Sequence, residues 1–278
     1  MKRNAIVTGG VAGLGLEFVK LLLKDNYHVI VVDKDNVDEA SFKKDQLRGI
    51  EGELTFIQKD LARSSSAMEL YNEFRHLEID VLINNAGFGL FGKFNSTDWG
   101  KEEAMINLHV LTTTHLTKLF LKDMLERDQG MILNMASLAG FQPGPLMSIY
   151  YATKAYILHF TEAIANEAKG TNVKVSVLCP GQTKTNFQQT VSENTSENKI
   201  GFNVGCPVEV AAYGYKKLKK GRVVIIPGAF NKFLASLSRF MTRGATTSLV
   251  RKIQESNRDD DGSAMGTETR LQEIKKAG

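Results

Sequence analysis

Cysteine is nearly missing from this sequence: Cys179 and Cys206 are the two present in 278 residues. Two thiols supply neither a disulfide framework nor the paired spacings of a structural metal site, so reduced cysteines are expected. Proline is almost as rare, at five residues, and with 24% charged and 42% hydrophobic residues this excludes a fibrous or disordered chain. No apolar run approaches the ~18 residues needed to span a bilayer. Nor does a secretory leader open the sequence, since Met1-Lys2-Arg3 passes into the strand-sized run Ala5–Thr8 and then a glycine loop. A soluble, cytoplasmic protein is the expectation.

Excess positive charge is also absent over most of the chain. Residues 1–206 sum to −3, whereas residues 207–255 carry ten lysines and arginines against two acids, a net of +8. The overall +4 therefore belongs to one segment, and no nucleic-acid partner is expected. The length suits a single large core and is short for two ordinary domains with a linker.

What is present is an alternation. Short, β-branched runs at Ala5–Thr8, His28–Asp33, Leu54–Gln58, Val81–Asn84, Gly130–Met135, Lys174–Leu178 and Arg222–Ile226 read as strands that are apolar on both faces. Helical patterns such as Leu14–Asp25, Thr97–Glu126 and Ser148–Lys169 lie between them. The pattern predicts an α/β fold, a Rossmann-type, doubly wound, seven-stranded parallel sheet with helices on both faces. Ligands of such sheets bind at the strands' carboxyl ends. Residues 1–229 read as the catalytic domain, with 185–206 as a polar flap over its site. Residues 230–255 read as a basic amphipathic helical extension and 256–278 as a disordered tail.

The loop Thr8-Gly9-Gly10-Val11-Ala12-Gly13-Leu14-Gly15 joins the first strand to the first helix. Glycines there let backbone N–H groups approach a pyrophosphate, and the helix presents its positive end to that anion. Asp33 ends the second strand, about 20 residues on, where a carboxylate bonds the adenine ribose 2′-OH. That carboxylate would repel a 2′-phosphate, so NAD is preferred over NADP. Lys34 is the counter-argument, because its ammonium can pair with such a phosphate.

Tyr150 and Lys154 stand at i and i+4 on a helix face, where an ammonium and a positive nicotinamide ring would lower the phenol's pKa. The spacing alone is common. Ser137, just past the strand Gly130–Met135 and thirteen residues before Tyr150, adds a hydroxyl able to bond a substrate oxygen. With these residues the chain resembles the classical short-chain dehydrogenase/reductase family over roughly residues 3–228, nearest its bacterial-type 3-oxoacyl and 3-hydroxy acid reductase members. The resemblance is carried by the Thr8–Gly15 loop, Asp60-Leu61, Asn84-Asn85-Ala86-Gly87, Asn107, Ser137, Tyr150-x-x-x-Lys154, and Pro180-Gly181 with Thr185.

That resemblance implies a hydride transfer between nicotinamide and a carbonyl or secondary alcohol. It gives Tyr150 the proton, Ser137 the substrate oxygen, Lys154 the nicotinamide ribose, and Asn107 a water in the proton relay. It also implies that Asp60 and Asn84 line the adenine side. Thr8, Gly9, Val11, Gly13, Leu14, Gly15, Leu61, Ala86 and Gly87 complete the cofactor cradle, with Pro180, Gly181, Thr183 and Thr185 beside the carboxamide. Members of that family are usually dimers or tetramers. A fold that binds nicotinamide without catalysis, as a regulator or scaffold, is the rival reading, weakened because every member of the catalytic set is present.

Apolar residues crowd the loops expected at the site: Phe88, Leu90, Phe91 and Phe94, then Phe141, Pro143, Leu146 and Met147, then Phe187 and Phe202. They suggest a hydrophobic or acyl-type small molecule, or serve merely as cover for the core. Lys216, Lys217, Lys219 and Lys220 before Gly221 read as a helix end complementing the helix dipole. Phe230, Phe233, Leu234, Leu237, Phe240 and Met241 form an apolar stripe among cations, suited to docking on the domain, to subunit contact, or to peripheral membrane contact. His109, His115 and His159 have no metal-ligand partners in the pattern and read as surface or core histidines.

Overall fold

The computed structural model describes residues 3–184, 205–237 and 240–256. Most of the expected flap and nearly all of the expected tail lie outside these residues, as do Thr185, Phe187 and Phe202. Seven parallel strands form one sheet in the order β3-β2-β1-β4-β5-β6-β7. They are β1 Arg3–Thr8, β2 Tyr27–Asp33, β3 Leu54–Gln58, β4 Ile79–Asn84, β5 Gly130–Met135, β6 Val173–Leu178 and β7 Val224–Ile225. The doubly wound α/β reading is borne out.

The strands are apolar on both faces because both faces are covered. Ala5 and Val7 of β1 join Val29, Val31, Val81 and Ile83 in a core beneath helices α1 (Gly13–Lys24), α2 (Glu39–Gln46) and α7 (Pro207–Lys219). The alternate residues Ile6, Ile30, Leu82 and Ile132 face α3 (Ser66–Phe74), α5 (Thr113–Glu126) and α6 (Ser148–Glu167). Asp38 caps α2 through Ser41 N–H at 2.8 Å, and Asp98 caps α4 (Trp99–Ile106) through Lys101 N–H at 2.8 Å. At the other end of α7, Gly221 takes φ of 67° and its N–H bonds Leu218 O, the turn expected after the lysine run.

One polar chain crosses the second core. Asn84 and Asn134 are register partners on β4 and β5, and Asn84 Nδ2 donates to Asn134 Oδ1 at 2.9 Å and to Thr117 Oγ1 at 3.0 Å. Asn134 Nδ2 donates in turn to Thr161 Oγ1 at 3.0 Å, and that hydroxyl donates to Ile157 O. Beyond the sheet, α8 (Ala229–Leu237) and α9 (Arg243–Ser256) lie against the carboxyl-end loops. Among the described residues no helix is long and apolar enough to cross a membrane.

Candidate active site at the strand carboxyl ends

The sheet order reverses direction between β1 and β4, which opens a crevice above their carboxyl ends. Thr8, at the end of β1, accepts the backbone N–H groups of Asn85 and Ala86 at 3.0 Å each. Asn85 Nδ2 answers with bonds to Thr8 O at 3.0 Å and Gly9 O at 2.9 Å, so the glycine loop and the segment after β4 are tied together. A Cβ on Gly15 would lie 2.0 Å from Gly9 O, so the loop folds onto α1 in space that only glycine leaves open. Ala12 caps α1 without a side-chain bond, and no acid occupies the helix's first turn. Free N–H groups at a positive helix end fit a dinucleotide pyrophosphate.

Asp33 completes this side. Its Oδ2 is 3.3 Å from Val11 N, and burial raises its pKa while the N–H groups of Asp35 and Val11 oppose the rise. Lys34 beside it is exposed. Asp60 is held in a turn by Ala62 N–H at 2.9 Å, and Leu61 is buried, its carbonyl accepting from Thr112. Asn84 lies elsewhere. Its side chain points into the core network rather than toward the adenine side, because both amide hydrogens are used by Asn134 and Thr117. Asn85, quoted in the same motif but given no role there, braces the loop in its place.

The proton-handling group forms past β5. Ser137 is extended and caps the short 3-10 turn Leu138–Phe141 by accepting from Ala139 N–H at 3.2 Å. A Cβ on Gly140 would meet Lys154 O at 2.8 Å, so this turn rests directly on the backbone of α6. The contact brings the Ser137 hydroxyl to the Tyr150 phenol, whose pKa it pulls down. Lys154 is 5% exposed, its Nζ donates to Met135 O at 2.9 Å, and it lies 5.7 Å from the centre of the Tyr150 ring.

The electrostatics depart from the sequence expectation that Lys154 lowers the phenol's pKa. Burial pushes Tyr150 well above its usual value, with Ser137 opposing and Tyr151 adding to the rise. Burial also lowers Lys154 to about 7. A lysine that titrates near neutrality is only partly charged there, and its ammonium is directed at a carbonyl rather than at the phenol. In the protein alone, desolvation wins.

Asn107 opens a π-helical turn, Asn107–Thr112, between α4 and α5. Such turns interrupt the helical ladder and redirect a side chain, often at a functional site. Two residues on, His109 is fully buried, with Nδ1 2.9 Å from Thr153 Oγ1 and Nε2 3.3 Å from the N–H of Phe88. Burial holds its pKa well below the ordinary value, and Lys154 pushes the same way. It is thus a satisfied core histidine. A polar residue inside an apolar helical stretch was the only signal for its role.

On the remaining wall, Leu138 N–H bonds Pro180 O at 3.0 Å, and Thr183 Oγ1 bonds Gly181 O at 3.2 Å. The apolar loop residues divide. Phe91 packs with Tyr150 on a cluster of Ala139, Met147, Tyr151 and Val250, and Phe88 lies 6.2 Å from the His109 ring. Phe141 packs on the Ile157–Leu158 core, and Phe94 is 63% exposed. Leu146 adopts φ of 67°, an uncommon conformation for a bulky residue, and its carbonyl accepts from Gly92 N–H.

Comparison with known proteins extends this picture. Residues 3–196 match the family model described as short chain dehydrogenase. Ketoacyl reductase HetN of Nostoc sp. is 30% identical over 86% of this chain and 83% of its own length. The 7beta-hydroxysteroid dehydrogenase of Mediterraneibacter gnavus is 27% identical over 82% of this chain and 86% of its own. Among solved structures, ElxO with NADP bound is 27% identical and superposes with a TM-score of 0.71, over 81% of this chain and 97% of that one.

Proposed function

Since this chain belongs to the short-chain dehydrogenase family and is an NAD(P)-dependent oxidoreductase of carbonyls and alcohols, we propose that Tyr150 is its proton donor and acceptor. The observation that carries this reading is the grouping of Ser137, Tyr150 and Lys154 past β5, with the Ser137 turn seated on α6 and Lys154 Nζ 5.7 Å from the Tyr150 ring. A bound nicotinamide supplies or accepts the hydride. The phenol gives its proton to the oxygen of a ketone, or takes it from an alcohol, while Ser137 holds that oxygen beside it. Lys154 stabilises the phenolate when it carries its own proton and bonds the nicotinamide ribose, and Asn107 holds the water that returns the proton.

The cofactor is NAD in preference to NADP. Asp33, held against Val11 N–H, supports this, since its carboxylate would oppose a 2′-phosphate. The bound NADP of ElxO is the contrary precedent. The substrate is hydrophobic and of acyl or steroid-like bulk, supported by Phe88, Phe91 and Met147 at the site and by the ketoacyl and hydroxysteroid names of the two relatives. A cytoplasmic homodimer or tetramer completes the reading. The unpaired cysteines support the location, and exposed Leu111 and Tyr156 support self-association.

The test is a screen of hydrophobic ketones and secondary alcohols with each nicotinamide cofactor, run on the wild type and Tyr150→Phe. The variant should lose at least about a thousandfold in kcat and keep its cofactor affinity. Retained turnover would refute the role of Tyr150. Tight cofactor binding with no turnover of any compound would favour a silent regulator.

A further inference from the structure

Helix α8 is packed inside out. Its small and polar residues turn inward: Ala235 is buried, and Asn231 bonds Pro227 O at 2.8 Å and lies against Gly181. Its large apolar residues Phe230, Phe233 and Leu234 recur at helical spacing on the other side and are 45%, 60% and 37% exposed. Phe240 follows at 86% exposure. Helix α9 repeats the arrangement, with Thr246 and Val250 buried while Leu249 and Ile253 lie exposed one turn apart. Large apolar side chains grouped on one surface mark an interaction site rather than ordinary scatter.

The charge of the same stretch selects the partner. Residues 229–256, which make the two helices, have a net charge of +4, with Glu255 as their only acid. Lys232, Arg243 and Lys252 are exposed among the apolar residues. Residues 1–206 sum to −3, so these two helices are basic against most of the chain. A second copy meeting this face about a two-fold axis would press like charges together. A boundary that is apolar inside and anionic at its surface satisfies both sets of side chains.

We propose that the outer faces of α8 and α9 dock the protein peripherally on an anionic lipid surface. The helices lie on the bilayer, with the phenylalanines in the acyl boundary and the cations at the headgroups. This surface adjoins the active site. Asn231 touches the Pro180–Thr183 turn at Gly181, and Gln254 Nε2 donates to Tyr151 Oη at 2.8 Å. Docking would therefore bring the substrate loops to the lipid boundary, where a hydrophobic substrate dissolves. That consequence rests on the proposed substrate class; the docking does not.

The test is co-sedimentation of the full chain with vesicles of phosphatidylcholine alone and of equimolar phosphatidylcholine and phosphatidylglycerol. Binding to the anionic vesicles should be stronger and should fall with added salt. The variant F233S/F240S should lose at least about tenfold in vesicle affinity, and Lys232→Ser about fivefold. Both should keep wild-type cofactor affinity and thermal unfolding, since all three side chains are exposed. No binding to anionic vesicles would overturn the proposal, as would equal binding to both compositions. A wild-type oligomer that F233S/F240S dissociates, with vesicle binding unchanged, would assign the face to a second copy instead.

Discussion

The imidazole of His109 donates its Nδ1 hydrogen to Thr153 Oγ1, 2.9 Å away, because the Thr153 hydroxyl spends its own hydrogen on Tyr150 O at 2.8 Å. Nε2 is then the acceptor for Phe88 N–H. One neutral tautomer satisfies all three bonds, and it joins the loop after β4 to the backbone of the residue proposed to move the proton.

His109→Leu keeps the bulk and removes both bonds. It should destabilise the fold by ~1–3 kcal/mol, the cost of leaving the part-buried Phe88 N–H unpaired. It should lower kcat by about tenfold through a misplaced Tyr150, and His109→Gln should recover part of both. Urea denaturation and steady-state kinetics of the two variants check this.

The same histidine sets an acid limit. Its folded pKa is held well below the ordinary 6.5, so as pH falls below 6.5 the unfolded chain takes a proton that the folded one refuses. Stability from this group is complete above 6.5 and is lost on acidification, at up to ~1.4 kcal/mol per pH unit. Unfolding free energies measured down the acid limb should decline less steeply in His109→Gln than in the wild type.

Lys154 acts at the opposite end of the scale. Burial takes it from 10.5 to about 7, so between those values the unfolded state holds more protons and stability rises with pH. Lys154→Met should remove that rise and stabilise the protein at pH 7 by ~1–3 kcal/mol, while sharply reducing turnover. A stability gain with lost activity, seen by thermal unfolding and assay together, is the expected signature.

Asp33→Ser removes the carboxylate beside Val11 N–H. Affinity for NADPH relative to NADH should rise about ten- to a hundredfold, with Lys34 then free to meet a 2′-phosphate. Fluorescence titration with each reduced cofactor measures the ratio. An unchanged ratio would remove Asp33 as the selector.

Much of this architecture was legible in the sequence, for a local reason. The strands of the sheet are short apolar runs with both faces covered, and that pattern needs no knowledge of partners. Ser137, Tyr150 and Lys154 were legible because one strand end and one helix hold all three. Asn85 and His109 were not, because their partners lie 21 to 77 residues away. The inward turn of Asn84 was hidden for the same reason, being fixed by Asn134 fifty residues on. The phenol's raised pKa escaped too, since spacing places Lys154 near Tyr150 without revealing how dry the site is.

The amide–hydroxyl chain from Asn84 through Asn134 to Thr161 works as an alignment key for the site. Side chains alternate across a sheet, so sliding β5 by one residue against β4 would drive the Asn134 amide among the apolar side chains under α1 and α7, away from Asn84 and Thr161. Apolar neighbours alone would resist such a slide weakly, because valines and isoleucines can replace one another. Ser137 stands three residues beyond Asn134, and the Asn85 brace one residue beyond Asn84. The distance between the proton-handling group and the cofactor cradle is therefore set inside the core, by groups that touch neither.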